Sequence, residues 1–444
     1  MRPRRCHLNR GPEKLSSKIW RAAAAALMLF SLGCGGERPE WSQFRGPSGL
    51  GVLDAGDLPT TWSKGSANIR WSTPIPGKGA SSAVIARGRV FVTTAIENPA
   101  GKGKESHEGA VLGLDLATGR VLWQRSLFTA PDVEHHRLNT HATPTPVTDG
   151  ESVYAYFGSH LARVTRDGEI AWIREVDPEY GRFARYGAAS SPILAGDTVV
   201  VVQDQEEAHD DDRGWMGAFD RGTGKEVWRR TWDDTCCSYS TPMLWDRPGG
   251  GPELLFAYSG MVAAHDPASG ERLWRHYHDM WQVVGGLVAD GDVVCALGGA
   301  HGYKGNVCLR VTGGGAKARV ERLWEERRRA PEVASPLIYR GRLYAVTMMG
   351  VLSCYDLASG KLLWVQDLEP GKAFRASLVA GDGKVYAVPS HGPAAVIDAT
   401  TDAFRVLAWN DLEEGGLLAT PAIGGGCLLL RTPERLLCIE KEAS

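Results

Sequence analysis

The sequence predicts an all-β fold. Specifically, it predicts an eight-bladed β-propeller of four-stranded antiparallel blades, closed by pairing of an N-terminal strand (about 68–75) with the last blade. Three observations carry this. Tryptophans recur at Trp71, Trp123, Trp172, Trp228, Trp274, Trp324, Trp364 and Trp409, with successive differences of 52, 49, 56, 46, 50, 40 and 45 positions. A period of 40–50 residues marks a repeat architecture, in which each unit buries its apolar face on its neighbours. Between the tryptophans lie short apolar runs broken by Gly, Asp and Pro, and no long helical period follows residue 34. The final unit stops after three strands, whereas Asn68–Ile75 has the form of a fourth strand without its first three. Joining the two leaves no exposed sheet edge.

Each strand of the unit has its own signature. The first begins with small or hydroxylated residues, as in Ala80-Ser-Ser-Ala-Val-Ile, Ala142-Thr-Pro-Thr-Pro-Val, Ala334-Ser-Pro-Leu-Ile and Ala419-Thr-Pro-Ala-Ile. Small side chains suit the crowded axis, where eight strands converge. A tight turn with Gly follows in most units, and then a second apolar strand such as Thr198-Val-Val-Val-Val or Arg342-Leu-Tyr-Ala-Val. The third and fourth strands are joined by Asp-x-x-Thr/Ser-Gly, clearest at Asp115–Gly119, Asp220–Gly224, Asp266–Gly270 and Asp356–Gly360. Asp accepts backbone N–H bonds there and Gly takes a positive φ. In these units the tryptophan comes four residues later, and its large apolar area seals neighbouring blades. The second, fifth and seventh units are degenerate at Thr165–Gly168, Val311–Gly314 and Asp398–Asp402.

The amino terminus reads as an address. Basic residues at Arg2, Arg4, Arg5, Arg10, Lys14, Lys18 and Arg21 precede an apolar run from Ala22 to Leu32, too short to span a bilayer. The run ends Ser31-Leu32-Gly33-Cys34, similar to a bacterial lipobox except that Ser31 stands where Leu is usual. The expected division is a signal peptide over 1–33, a lipidated tether and extension over 34–67 starting at Cys34, and the propeller over 68–444. A lipid chain anchors a protein to the membrane without spanning it. The residue after the cysteine, Gly35, favours the periplasmic face of the outer membrane over the inner membrane. With 50 basic and 52 acidic residues the chain shows no footprint for nucleic acid.

The A-x-D-x-x-T-G-x-x-x-W pattern over residues 68–440 resembles the repeat of the PQQ-like β-propeller family. That family holds BamB-like outer-membrane assembly lipoproteins and PQQ-type quinoprotein dehydrogenases. The opening Trp41-Ser-Gln-Phe-Arg-Gly-Pro-Ser-Gly-Leu-Gly51 is similar to a segment found on bacterial members of the same family, with an expected role in packing against the ring. One branch implies a cofactor-free scaffold. The other implies an enzyme holding pyrroloquinoline quinone (PQQ) and Ca²⁺ on the axis. Fold alone does not choose between them.

The residues favour the first. No haem-attachment, P-loop, G-x-S-x-G or zincin motif occurs. The adjacent pair Cys236-Cys237 is similar to the vicinal pair beside the cofactor of methanol-dehydrogenase-like quinoproteins, and is the weak candidate for a cofactor contact. The calcium ligands and catalytic Asp of those enzymes have no matching motif. His135, His136 and His141 share one loop, read as solvated for want of a Cys or carboxylate in register. The acidic stretch Gln203–Arg213 lacks the order of a calcium loop, and Glu325–Arg329 reads as an exposed rim. Cys295, Cys308, Cys354, Cys427 and Cys438 fall on strands and read as small core residues. A turn centred between Pro433 and Glu434 sets Cys427 opposite Glu440, which disfavours a Cys427–Cys438 bridge. The expectation is a monomeric ring, membrane-anchored and non-catalytic, that binds envelope proteins. The alternatives are a PQQ/Ca²⁺-dependent alcohol or sugar dehydrogenase and a binder of glycans or small ligands at the ring mouth.

Overall fold

The computed structural model describes residues 41–441 except 67, 98–105, 134, 181–185, 206–212, 233–236, 247–249, 301 and 369–372. Cys34, Cys236, the whole signal segment and most of the acidic 203–213 stretch lie outside the described residues. Among those described, strands form eight four-stranded antiparallel sheets. Blades 1 to 7 occupy 84–131, 147–175, 193–232, 243–277, 287–326, 337–367 and 379–410. Blade 8 combines Ala422–Gly424, Cys427–Arg431 and Arg435–Glu440 with Ile69–Pro74. The closure therefore pairs Trp71 with Cys438 and Thr73 with Leu436. In the last hairpin Cys427 is registered with Glu440, and neither it nor Cys438 forms a disulfide.

A bulge recurs between the third and fourth strands of every blade. In seven blades the skipped residue immediately precedes the tryptophan: Trp123 pairs with Gly113 while Val121 pairs with Leu114, and Trp228 pairs with Ala218 while Glu226 pairs with Phe219. In five of these the tryptophan then leans over the turn glycine of the next blade. Trp71, Trp123, Trp172, Trp228 and Trp324 donate their Nε1–H to the carbonyls of Leu116, Arg166, Arg221, Pro267 and Leu357, at 2.9–3.0 Å. A Cβ added to Gly119, Gly168, Gly224, Gly270 or Gly360 would collide with that indole. The turn glycine is thus needed both for its positive φ and for the close approach.

Blade 7 departs from this. There Val396 pairs with Ala408 and Ile397 with Val406, so Ala408 takes the seam position and Trp409 falls one residue later. Side chains alternate along a strand, and a slip of one residue moves a side chain to the opposite face. Trp409 is accordingly 44% exposed, whereas Trp71 is 8% exposed. The expectation that all eight tryptophans seal blades is corrected on this point.

Cysteines give a second correction. Cys295 and Cys308 are not two separate core thiols. They face each other across the second and third strands of blade 5 and form a fully buried disulfide.

Residues 41–58 lie across one end of the ring, and 59–62 run on into the seam between blades 7 and 8. Trp41 bridges Ile85 of blade 1, Ser42 accepts from Thr148 N in blade 2, and Leu50 packs into the clusters of blades 4 to 6. Val52 bridges Ala380 of blade 7, and Asp382 accepts from the amides of Gly56 and Leu58. All these contacts involve first strands or the turns that end them, so this segment closes the end face that also carries the Asp–Gly turns. The loops that enter each first strand emerge on the other face.

Candidate functional site

The axis carries a belt of hydroxyls. At six of the eight first strands an entering amide donates to the hydroxyl of the next blade: Ser82 to Thr145, Thr145 to Ser191, Ser191 to Thr241, then Gly286 to Ser335, Ser335 to Ser377 and Ser377 to Thr420, all at 2.9–3.0 Å. Gly286, which has no hydroxyl, interrupts the belt after Thr241. Near its other interruption, where the last blade meets the first, Arg431 donates to the carbonyls of Ser81 and Thr93. Its guanidinium is buried without a partner carboxylate, and desolvation lowers its pKa to about 10.

Arg45, from the closing segment, sits directly beneath this belt. It donates to Leu50 O at 2.9 Å and to Pro336 O, and its Nε and Nη1 have no partner among the described residues. Burial lowers it to about 9. A cavity of about 10 Å³, the room of a single water, adjoins it. Its lining includes Gln43, Phe44, Arg45, Thr241 and Ser335 and no carboxylate. Ca²⁺ takes six to eight oxygen ligands with carboxylates prominent among them, and a tricyclic quinone needs far more volume. This part of the axis does not fit a PQQ–Ca²⁺ pair.

On the loop face, Cys237 is fully buried, has φ +66° and is disulfide-bonded. Its carbonyl accepts from Ser259 Oγ at 3.3 Å, and Ser238 N donates to Asp204 Oδ2 at 3.0 Å. These contacts tie the loop to blades 3 and 4 and give Cys237 a structural place. Apolar side chains are exposed nearby in blades 4 to 6: Trp281 at 42%, Tyr303 at 62% and Met349 at 60%. Trp281 N donates to Tyr303 O at 3.1 Å. Lys304 pairs with Glu332, which also accepts from Met348 N at 2.8 Å. Backbone and ion-pair contacts thus join the three loops. Arg327 pairs with Asp279 and Glu325 at their exposed rim, where the sequence placed a rim.

The three loop histidines do not act together. His141 is joined instead by His107, from the third strand of blade 1, and by Asp132, just past the end of its fourth. Asp132 Oδ1 lies 3.0 Å from His107 Nδ1 and 3.6 Å from His141 Nε2. The two imidazoles stack with centroids 3.8 Å apart and planes 2° from parallel. His135 stands edge-on to His141 at 4.7 Å, while His136 turns toward Tyr186. Desolvation lowers His107 against the upward pull of Asp132, and lowers His141 to about 4 with help from the neighbouring histidines. A neutral imidazole has one nitrogen lone pair. The carboxylate missing from the sequence reading is thus supplied by Asp132. Hairpin register sets His107 opposite Ala130, two residues before it.

Comparison with known proteins gives one consistent result. The family model for outer membrane protein assembly factor BamB matches residues 17–244, 212–304 and 258–416. BamB of Yersinia pestis is 24% identical over 353 residues, covering 73% of this chain and 78% of its own. The BamB structure from Moraxella catarrhalis aligns at a TM-score of 0.55 with 10% identity, over 83% of this chain and 98% of that one. A europium-containing methanol dehydrogenase aligns at 0.60 with 11% identity, over 90% and 91%. Identities this low in solved structures establish the fold alone. The family match spans nearly the whole ring, and the chain belongs to the BamB family of outer membrane protein assembly factors.

Proposed function

We propose that this chain is a membrane-tethered, non-catalytic scaffold that holds envelope proteins on its loop face during envelope biogenesis. In this reading residues 1–33 are a cleaved signal peptide, Cys34 is lipidated, 34–67 lead into the ring, and the protein acts as a monomeric ring at the periplasmic face of the outer membrane. The relatives' name, an assembly factor for outer membrane proteins, supports the class of partner. The observation that carries the reading is the contrast between the two end faces. Residues 41–58 cover one, and the other exposes Trp281, Tyr303 and Met349 with a charged rim. Clusters of aromatic and Met side chains are favoured anchors at protein interfaces. Cys34 precedes Trp41 by seven positions (41 − 34), a reach of at most about 25 Å. A lipid there would hold the covered face toward the membrane and present the loops outward.

Site-specific photo-crosslinkers test this in cells. Placed at Trp281 and Tyr303 they should capture outer-membrane assembly proteins, and placed at Val227 on the outer rim they should not. The proposal fails if a folded Trp281→Asp/Tyr303→Asp chain retains the same partners in the same yield.

A further inference from the structure

We infer that His107, Asp132 and His141 form a binding site for a divalent transition-metal ion, with zinc the best match and a water in the fourth position. The inference does not depend on the scaffold reading. Its first support is distance. One ligand atom from each of the three residues lies within 4.8 Å of the others. Metal bonds of about 2.0–2.1 Å in a tetrahedron place ligand atoms roughly 3.4 Å apart. The two measured separations from Asp132 Oδ1, 3.0 and 3.6 Å, bracket that edge.

The second support is donor chemistry. Two imidazoles with one carboxylate select zinc or its neighbours over Ca²⁺ or Mg²⁺, which take oxygen ligands. His107 Nδ1 and His141 Nε2 both face the same carboxylate oxygen. His135 stands edge-on to the His141 ring at 4.7 Å and walls the site on that side.

The third support is the frame. His107 is buried within the third strand of blade 1, and it pairs with Glu97 and Ala130 across its two neighbours. Phe128 meets it edge-on at 6.1 Å and stacks on His160 at 4.0 Å, which limits ring movement on that side. Asp132 remains 28% exposed and gives the ion a way in. Binding needs Asp132 to exchange its hydrogen bond to His107 for a metal bond, His107 to carry its proton on Nε2 instead of Nδ1, and the two near-parallel rings to tilt out of their stack so that their in-plane lone pairs meet at one ion. The ion would then fasten the loop entering blade 2 to the outer hairpin of blade 1. That loop is already tied to the next one through Asn139 Nδ2, which donates to Tyr186 O at 2.7 Å.

The test uses the untagged mature chain, stripped with chelator and dialysed against Zn²⁺, with bound metal measured by elemental analysis. Co²⁺ serves as a visible-absorption probe of the same site. One equivalent of Zn²⁺, tetrahedral Co²⁺ bands and a rise in Tm on adding Zn²⁺ are expected. His107→Gln/His141→Gln should weaken binding at least about 100-fold, since changes outside the ligand set alone cost 10–100-fold. Asp132→Asn keeps the shape of the site and guards against a variant that merely fails to fold; it should also lose tight binding. His136→Ala should bind normally. Less than about a fifth of an equivalent in the parent chain, or full retention of one equivalent by Asp132→Asn and the double variant, overturns the inference.

Discussion

Two seams of the ring differ in how they are closed. Where blade 8 meets blade 1, Trp71 lies over Gly119 and donates to Leu116 O at 2.9 Å. Where blade 7 meets blade 8, the same register position holds Ala408. The reason lies in the receiving blade. The third and fourth strands of blade 8 come from opposite ends of the chain, so no Asp–Gly turn joins them and no turn glycine is there to receive an indole. The space is filled by the N-terminal segment. Trp62 is buried, faces Tyr386 at 6.3 Å between ring centres, and shares a core cluster with Val396, the strand partner of Ala408. Its amide donates to Asn410 Oδ1 at 2.7 Å, and Asn410 Nδ2 donates to Thr60 O at 3.0 Å. The tryptophan and the turn are thus one device in two parts, and at the closure of the ring both parts are missing.

This contrast sets the largest expected effects. Trp71→Ala and Trp62→Ala should each destabilise the ring by about 3–5 kcal/mol, as large aromatic truncations in cores do. Trp409→Ala should stay within about 0.5 kcal/mol, as for exposed sites generally. Urea unfolding of the three variants measures this, and a large loss from Trp409→Ala would break the comparison.

An intermediate effect is expected at the seam between blades 4 and 5, where the turn is degenerate. Glu253 is buried there; its Oε2 accepts from Trp274 Nε1 at 2.7 Å and its Oε1 from Gly315 N at 3.0 Å. The carboxylate replaces the backbone carbonyl used at the ordinary seams. Glu253→Leu should cost about 1–3 kcal/mol, the penalty of leaving buried donors unsatisfied. A melting temperature unchanged from the parent would show that the bridge is dispensable.

The smallest effect is tied to pH. His265 Nδ1 lies 3.0 Å from the carbonyl of Gly270, the glycine beneath Trp228, and its Nε2 lies 2.9 Å from Tyr258 Oη. Desolvation lowers its pKa to about 4. Between the ordinary value near 6.5 and that value, the unfolded chain binds more protons than the folded one. Stability therefore falls as pH drops through this window, by up to about 1.4 kcal/mol per unit, and is level above it. Urea midpoints at pH 7, 6 and 5 should decline in the parent and decline less in His265→Gln. Parallel curves would remove His265 from the seam.

Fold and blade count were legible in the sequence because period, turn and tryptophan repeat together. The closing strand was legible because a missing fourth strand and a surplus one stand at opposite ends of the chain. Trp409 was misplaced because spacing counts residues, while burial depends on where the bulge falls, and a shift of one position changes the face. The Cys295–Cys308 bridge was within reach of sequence reasoning. A hairpin centred between His301 and Gly302 sets the two cysteines opposite each other, by the same arithmetic that separated Cys427 from Cys438. The His107–Asp132–His141 group was not legible. It draws on one strand, the end of another and a loop, and only the register of the hairpin brings His107 beside Asp132.

The split blade has a consequence for the order of events in the cell. Its fourth strand is among the first ring residues to be synthesised and its partners are the last; Ser72 and Arg435, which hydrogen-bond across the closure, stand 363 positions apart. Seven blades can assemble as the chain emerges, but the N-terminal strand and the segment that covers the axis have no complete partner until residue 440 arrives. On the export route proposed above the amino terminus would lead, and the ring would close only after the last blade had followed it. Truncation at the carboxyl end should release both ends of the ring together.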